Sequence, residues 1–125
     1  MVAPPCRLVR LTRNQHVLLR LGEWAAWTEC AAALSRRAAR AAAGRLPAKG
    51  DRRFEAPALA AMSRVFARET ALKVATEGLR WLYGGSPDVD PDLERRVGLA
   101  DVLAGQRGLI DDMDAVAAAL YGRAA

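Results

Sequence analysis

Residues 57–85 read PALAAMSRVFARETALKVATEGLRWLYGG, and this stretch decides the fold. Pro57 suits the first turn of a helix, where no amide hydrogen is needed, and Gly84–Gly85 ends the pattern. Apolar side chains recur at helical spacing and predict one buried face: Leu59, Met62, Phe66, Leu72, Leu79 and Leu82. Charged side chains are predicted to lie outside that face: Arg64, Arg68, Lys73, Glu77 and Arg80. The stretch therefore predicts one amphipathic helix of about eight turns.

A similar helix precedes this one. Asn14 can cap its first turn, since the side chain can accept a hydrogen bond from an exposed amide. One apolar stripe follows at spacings of three and four: Val17, Leu21, Trp24, Trp27, Ala31, Leu34, Ala38 and Ala41. Gly44 and Pro47 then stop the helix. Residues 46–55 are predicted to form a polar, basic loop, and residues 1–11, with two prolines and no clear period, an extended arm.

The C-terminal part predicts a third helical region. Asp90 can cap it and Pro91 can open it. Its strongest apolar stripe consists of Leu103, Ile110, Met113, Val116 and Leu120. Three glycines interrupt the region and predict a break or two shorter helices: Gly98, Gly105 and Gly108. The fold class that follows is all-α, an antiparallel helical bundle that forms a single domain over residues 12–125.

Composition agrees with one packed helical domain. The chain has 125 residues and a mass of 13.5 kDa, and 52% of its residues are hydrophobic and 26% charged, which excludes disorder by composition. Twenty-seven alanines and seven aromatic residues favour close-packed helices over sheets. The net charge is +5, with 17 arginines and 2 lysines. This excess either indicates a partner that carries phosphate or reflects a GC-rich coding sequence.

Neither a secretory signal nor a run of about 18 apolar residues is present, so export and membrane spanning are not predicted. Cys6 and Cys30 have neither zinc-site spacing nor the number that a disulfide framework needs. The chain is therefore predicted to be cytoplasmic.

Several side chains could in principle carry chemistry. His16 is the single histidine, and we interpret it as a capping or surface residue. The aspartates of the last helix are interpreted as a solvated acidic face: Asp111, Asp112 and Asp114. Glu29 and Glu69 lie inside the two long helices, where each is either a buried catalytic base or, more simply, the partner of an arginine.

The basic segment 36–53 could neutralise the phosphates of a nucleic acid. Nucleic-acid binding is nevertheless the less favoured interpretation, because no aromatic residue is interleaved before Phe54 and arginines continue along the whole chain. The residues alone therefore predict a helical domain without a complete catalytic constellation.

Residues 58–75, ALAAMSRVFARETALKVA, lead into residues 79–85, LRWLYGG. This order resembles the C-terminal domain of the acyl-CoA dehydrogenase family, in which an AMAK-type helix opening leads to a glutamine-x-x-glycine-glycine element. Residues 14–21 resemble the preceding long helix of that family, and residues 112–122 resemble its last helix, which ends in leucine and glycine. The resemblance covers about residues 12–122.

The resemblance implies a helical domain that packs in a homo- or hetero-oligomer and helps to hold FAD beside an acyl-CoA thioester. In the family a glutamate removes the α-proton while flavin N5 accepts the β-hydride. Gly84 and Gly85 are retained at the cofactor element, where glycine lets the backbone approach closely, and Trp81 replaces a flavin-contacting glutamine.

Gln106 lies at the position that the family uses for its catalytic base, and a neutral amide cannot remove a proton. The family's other two domains lie outside these 125 residues. The prediction is therefore an acyl-CoA dehydrogenase-like C-terminal domain of fatty acid metabolism, a fragment or partner subunit that is not an active oxidoreductase alone. The alternative is a non-enzymatic helical interaction or nucleic-acid-binding module.

Overall fold

A computed structural model describes residues 13–50 and 53–122. These ranges contain five helices and no strand: α1 (Gln15–Ala42), α2 (Ala56–Gly85), α3 (Leu93–Val97), α4 (Leu99–Ala104) and α5 (Leu109–Tyr121). The predicted all-α class is confirmed. The predicted arm, residues 1–11, lies outside the described residues.

Helix α1 begins and ends where its sequence signals predict. The Oδ1 atom of Asn14 accepts a hydrogen bond from the His16 amide at 3.0 Å. At the other end Gly44 has a φ of +66°, a left-handed conformation that favours glycine. Arg45 N–H then donates to the Arg40 carbonyl at 2.8 Å, and Gly44 N–H donates to the Ala41 carbonyl at 3.0 Å. These two bonds form a Schellman motif, which satisfies the last carbonyls of the helix.

The third helical region is divided into three helices rather than two. Gly98 has a φ of +75° and is both the end of α3 and the start of α4. Gly108 has a φ of +77° and begins α5. Asp90 accepts a hydrogen bond from the Asp92 amide at 2.9 Å, so it caps the turn that leads into α3. The predicted breaks at Gly98 and Gly108 are confirmed, because each glycine supplies a left-handed residue that no helix can contain.

Helix α2 lies between the other two long helices. α1 runs antiparallel to it, since Trp24 is hydrogen-bonded to Glu77 at one point and the hydroxyls of Ser35 and Ser63 lie 3.1 Å apart further along. The main packing of both α1 and α5 is with α2. α5 packs on the other side of α2 from α1, together with α3 and α4. The long helices therefore form one layer with α2 in the middle.

A single layer has a thin core. The buried apolar residues of the described ranges are Val17, Ala38, Leu59, Ala61, Ala75 and Leu79. None of the large side chains in the described ranges is completely buried. Two side chains that were predicted to be buried are substantially exposed, Leu21 at 44% and Leu82 at 39%. One layer of helices leaves two faces open, which explains why these long helices bury so little.

The side of α5 that packs against α2 is not its apolar stripe. The apolar stripe indicated by the sequence is not the buried face, because Leu103 of α4 and Ile110, Met113 and Leu120 of α5 are 40–67% exposed, while Val116 is half-buried. The buried residue is instead Asp112. The solvated acidic face is confirmed for Asp111 and Asp114, which are exposed, and wrong for Asp112.

Two arginines of α2 determine this orientation. Arg64 contacts both carboxylate oxygens of Asp112, with its Nε 2.9 Å from Oδ2, and Arg68 Nη1 contacts Oδ2. Arg68 also donates to the carbonyls of Gly105 and Arg107, at 2.9 and 2.7 Å. Arg68 was predicted to lie outside the buried face, but this guanidinium connects α2 to α5 and to the turn before it.

The Asp112 contacts predict acid sensitivity. Hydrogen bonds from Arg64 and Arg68 hold the pKa of the Asp112 carboxyl well below its usual range. An aspartate whose pKa is lowered by folding stabilises the fold above its unfolded pKa of about 4, and that stabilisation is lost as the pH falls further. We expect the free energy of unfolding to decrease below about pH 4, as measured by urea unfolding at a series of pH values.

The variant Asp112→Asn tests this explanation of the acid sensitivity, because it replaces the carboxyl group with a neutral amide of similar size. We expect it to lower the midpoint of thermal unfolding at pH 7 by about 5 °C or more, and to flatten the acid dependence below about pH 4. An unchanged acid dependence in this variant would show that other carboxylates cause the loss.

Candidate functional site

An open groove lies on one face of the layer, and we call it the alanine groove. It runs over α2 between α1 on one side and α3–α4 on the other, and its volume is about 640 Å³. Its floor includes Ala67, Ala71 and Gly78 of α2, and its walls include Ala31 of α1 and Val102 of α4. No ionisable side chain lines it. The alanine groove is larger than the concavity lined by Glu94, Gly98 and Leu103, whose volume is about 560 Å³.

Small side chains create the groove. Positions 67, 71 and 78 recur at spacings of four and seven, so they lie on one side of α2. Alanine and glycine leave the helix backbone close to the surface there. The α2 part of the lining extends from position 67 to position 82, a length of about 22 Å.

One hydroxyl at the groove has no partner. Thr70 lines the groove, is only 5% exposed, and its Oγ1 atom accepts and donates no hydrogen bond among the described residues. Two other threonines donate to the carbonyl four residues earlier, Thr28 to Trp24 at 2.8 Å and Thr76 to Leu72 at 2.7 Å. A buried hydroxyl without a partner costs free energy, so Thr70 makes the fold less stable than a side chain of similar size without a hydroxyl would.

Beside the groove, a polar network joins α1 to α2. Trp24 Nε1 donates to Glu77 Oε2 at 2.7 Å, and Lys73 Nζ lies 2.9 Å from Glu77 Oε1 and 3.3 Å from Glu23 Oε1. Arg20 Nη1 lies 2.6 Å from Glu23 Oε2. Lys73 and Glu77 were predicted to lie outside the helix interface, but they are half-buried within it.

The network keeps its carboxylates ionised. Hydrogen bonds from Lys73 and then Trp24 lower the pKa of Glu77, and those from Arg20 and Lys73 lower the pKa of Glu23. A general base at neutral pH needs a raised carboxyl pKa, so neither glutamate is suited to that role. The network therefore holds the two helices together.

Trp27, a member of the apolar stripe predicted for α1, packs against α2. Its ring stacks on Phe66 with centroids 5.4 Å apart, and Lys73 Nζ lies 5.2 Å from the Trp27 ring centroid. Trp24 and Trp81 are half-buried.

The residues at the family's cofactor and base positions do not converge. Gln106 Nε2 donates to the carbonyls of Arg68 and Val102, at 3.3 and 3.2 Å, so its amide ties the turn before α5 to α2. Trp81, Gly84 and Gly85 lie in the last turns of α2. Position 81 is 13 residues from position 68 on the same helix, a distance of about 20 Å. Gln106 and the Trp81–Gly85 element are therefore too far apart to hold one small reacting group.

The other candidate residues lie on the surface. Glu29 and Glu69 are exposed, so the hypothesis of a buried catalytic base is wrong. Neither glutamate forms an ion pair with another described residue, so the simpler prediction of an arginine partner is also wrong. His16 is exposed, in agreement with a surface histidine.

The described ranges contain neither a cluster of metal-ligating side chains nor a helix that could span a membrane. No three histidine, cysteine or carboxylate side chains lie together as metal ligands within residues 13–50 and 53–122. None of the helices in those ranges combines the length and apolar character needed to span a bilayer.

Because the Thr70 hydroxyl has no partner among the described residues, its removal is expected to increase the stability of the fold. Thr70→Val replaces the unpartnered hydroxyl with a methyl group of similar size, and we expect it to raise the free energy of unfolding by about 1 kcal/mol. Thr76→Val is the control on the same helix, because it removes an exposed hydroxyl that has a partner, and we expect no gain from it. Urea unfolding of both variants measures the difference. Equal effects at the two sites would contradict the interpretation of Thr70.

Comparison with known proteins found no matching family model, no matching curated protein and no matching solved structure.

Proposed function

We propose that this chain is a non-catalytic helical partner subunit that contributes one layer of helices to a larger assembly. The observation that carries the proposal is the open, apolar alanine groove on a layer in which no large described side chain is completely buried. Protein domains are normally built from at least two packed layers around one core. A partner that covers the groove face would provide the second layer.

The resemblance of residues 12–122 suggests the kind of assembly. It is an acyl-CoA dehydrogenase-like flavoprotein in which another chain supplies the catalytic base and most of the cofactor site. Gln106 supports this division of roles, because its amide is neutral and already hydrogen-bonded to two carbonyls. FAD would supply the hydride acceptor when bound.

The described residues do not fit FAD by themselves. Gly84 is exposed with open space around its Cα and Trp81 is half-buried nearby, but at this end of α2 the Tyr83 hydroxyl donates to the carboxylate of Glu94, whose negative charge disfavours a pyrophosphate. We therefore assign no chemical step to this chain. Acyl-CoA, as a substrate of the assembly, would be bound chiefly by the partner.

A non-enzymatic interaction module is the second candidate, and the same groove favours it. It differs in one respect, since no flavin would enter the assembly. The nucleic-acid variant of this candidate has weaker support, because no aromatic residue is interleaved in the basic segment 36–53.

Flavin binding tests the proposal. We expect the purified chain, mixed with FAD and passed over a size-exclusion column, to elute without flavin absorbance. We expect flavin absorbance only in a complex isolated from the native cells through a tag on this chain. Stoichiometric binding of FAD to the chain alone would overturn the proposal of a non-catalytic subunit. A stable complex without flavin would support the interaction module instead.

A further inference from the structure

We infer that a small concavity beside the C-terminal end of α1 binds the phosphate group of a small organic phosphate ester. We call this concavity the arginine cleft. It has a volume of about 330 Å³ and is lined by Arg36, Arg37 and Arg40 of α1 and by Leu46, Pro47 and Gly50 of the following loop. The inference goes beyond the proposed function and does not depend on it, because none of these residues lines the alanine groove.

Positive charge is concentrated in this part of the chain. Residues 36–55 contain seven arginines and lysines and two carboxylates, so they carry the whole net charge of +5, and the rest of the chain is neutral overall. Arg36 and Arg40 are exposed, and neither forms an ion pair with another described residue. No carboxylate is among the described residues that line the cleft. An anion in the cleft therefore meets two guanidinium groups that no described carboxylate neutralises.

The spacing of the arginines brings their side chains to one side of α1. Because successive residues of a helix are separated by about 100°, positions 36, 37 and 40 lie within one arc of about 100°. Ala33 lies within the same arc and also lines the cleft, and its small side chain leaves space between the arginines. A guanidinium group donates two parallel N–H bonds in a geometry that matches the oxygens of a phosphate. The arrangement therefore suits a compact phosphate dianion.

The helix dipole explains only part of this cluster. Cations are favoured near the C-terminus of a helix, but the effect falls off within the last turn. Arg40 lies in the last turn of α1, whereas Arg36 and Arg37 lie before it. Arg36 and Arg40 are also four residues apart, a spacing at which equal charges destabilise a helix. The cluster thus lowers the stability of the free chain slightly, and a bound anion would offset that repulsion.

The size and lining of the cleft favour a small ester over a polymer. Its volume lies near the lower end of the range of small-molecule sites, about 300–1,000 Å³. Leu46 and Pro47 supply apolar surface for the organic part of the ligand. A nucleic-acid strand carries one phosphate in about every 3.4 Å, whereas positions 36–40 extend only about 6 Å along α1. No aromatic side chain among the described lining residues is available to stack on a base.

Isothermal titration calorimetry with three small probes tests the inference: phenyl phosphate, inorganic phosphate and phenol. We expect phenyl phosphate to bind at low ionic strength with a Kd of about 0.1–1 mM. Inorganic phosphate is expected to bind at least about threefold more weakly, because it makes no contact with Leu46 and Pro47. Phenol, which lacks the phosphate group, is expected to show no measurable binding.

Two double variants with the same change in net charge locate the binding. We expect Arg36→Gln with Arg40→Gln to weaken the binding of phenyl phosphate at least about tenfold. Arg13→Gln with Arg80→Gln is the matched control, because both arginines are exposed and neither lines the cleft. Arg13 precedes the other end of α1, about 30 Å from the cleft. We expect the control to change the Kd less than about twofold, and circular dichroism checks that both variants remain folded.

Three results would overturn the inference. The first is no binding of phenyl phosphate. The second is equal weakening by the two double variants, which would show that net charge and not the cleft attracts the anion. The third is a single-stranded oligonucleotide that binds at least about a hundredfold more tightly than phenyl phosphate and is weakened by both double variants, which would assign this basic end to a nucleic acid. None of these results changes the outcome expected for flavin.

Discussion

The central constraint on this structure is that every other helix in the described residues packs against α2. α1 is held through the network around Glu77, and α5 is held through Asp112, which pairs with two arginines of α2. Because these contacts lie on different sides of one helix, the result is a layer. The thin core, the open groove and the exposed stripe of α5 all follow from that arrangement.

The sequence predicted the two long helices well, because their ends depend on local chemistry. Asn14 and Gly44 set the ends of α1 through hydrogen bonds within a few residues. The ends of α2 follow in the same way from Pro57 and Gly84–Gly85. The orientation of α5 could not be predicted in this way. Its apolar stripe is stronger than its polar face, but the partners of Asp112 lie 44 and 48 residues away and decide which side is buried.

The candidate site was missed for a similar reason. Alanines at positions 67 and 71 and glycine at 78 were visible as small residues at helical spacing, but only the placement of α1 and α4 shows that they form a floor. The residues selected by the family resemblance are placed differently. Gln106 has a structural role in the turn before α5, while Trp81 and the two glycines lie near the far end of α2. The resemblance therefore stays a hypothesis about the assembly.

The glycines with a left-handed backbone conformation affect how easily the width of the groove can change. Gly98 and Gly108 divide the C-terminal region so that α3 and α4 have only five and six residues. Helices this short do not persist without tertiary contacts, and segments with few contacts open at lower free energy than a protein as a whole. One wall of the groove is thus compliant, whereas the opposite wall, α1, is a continuous helix of 28 residues. The width of the groove can therefore change through one wall only.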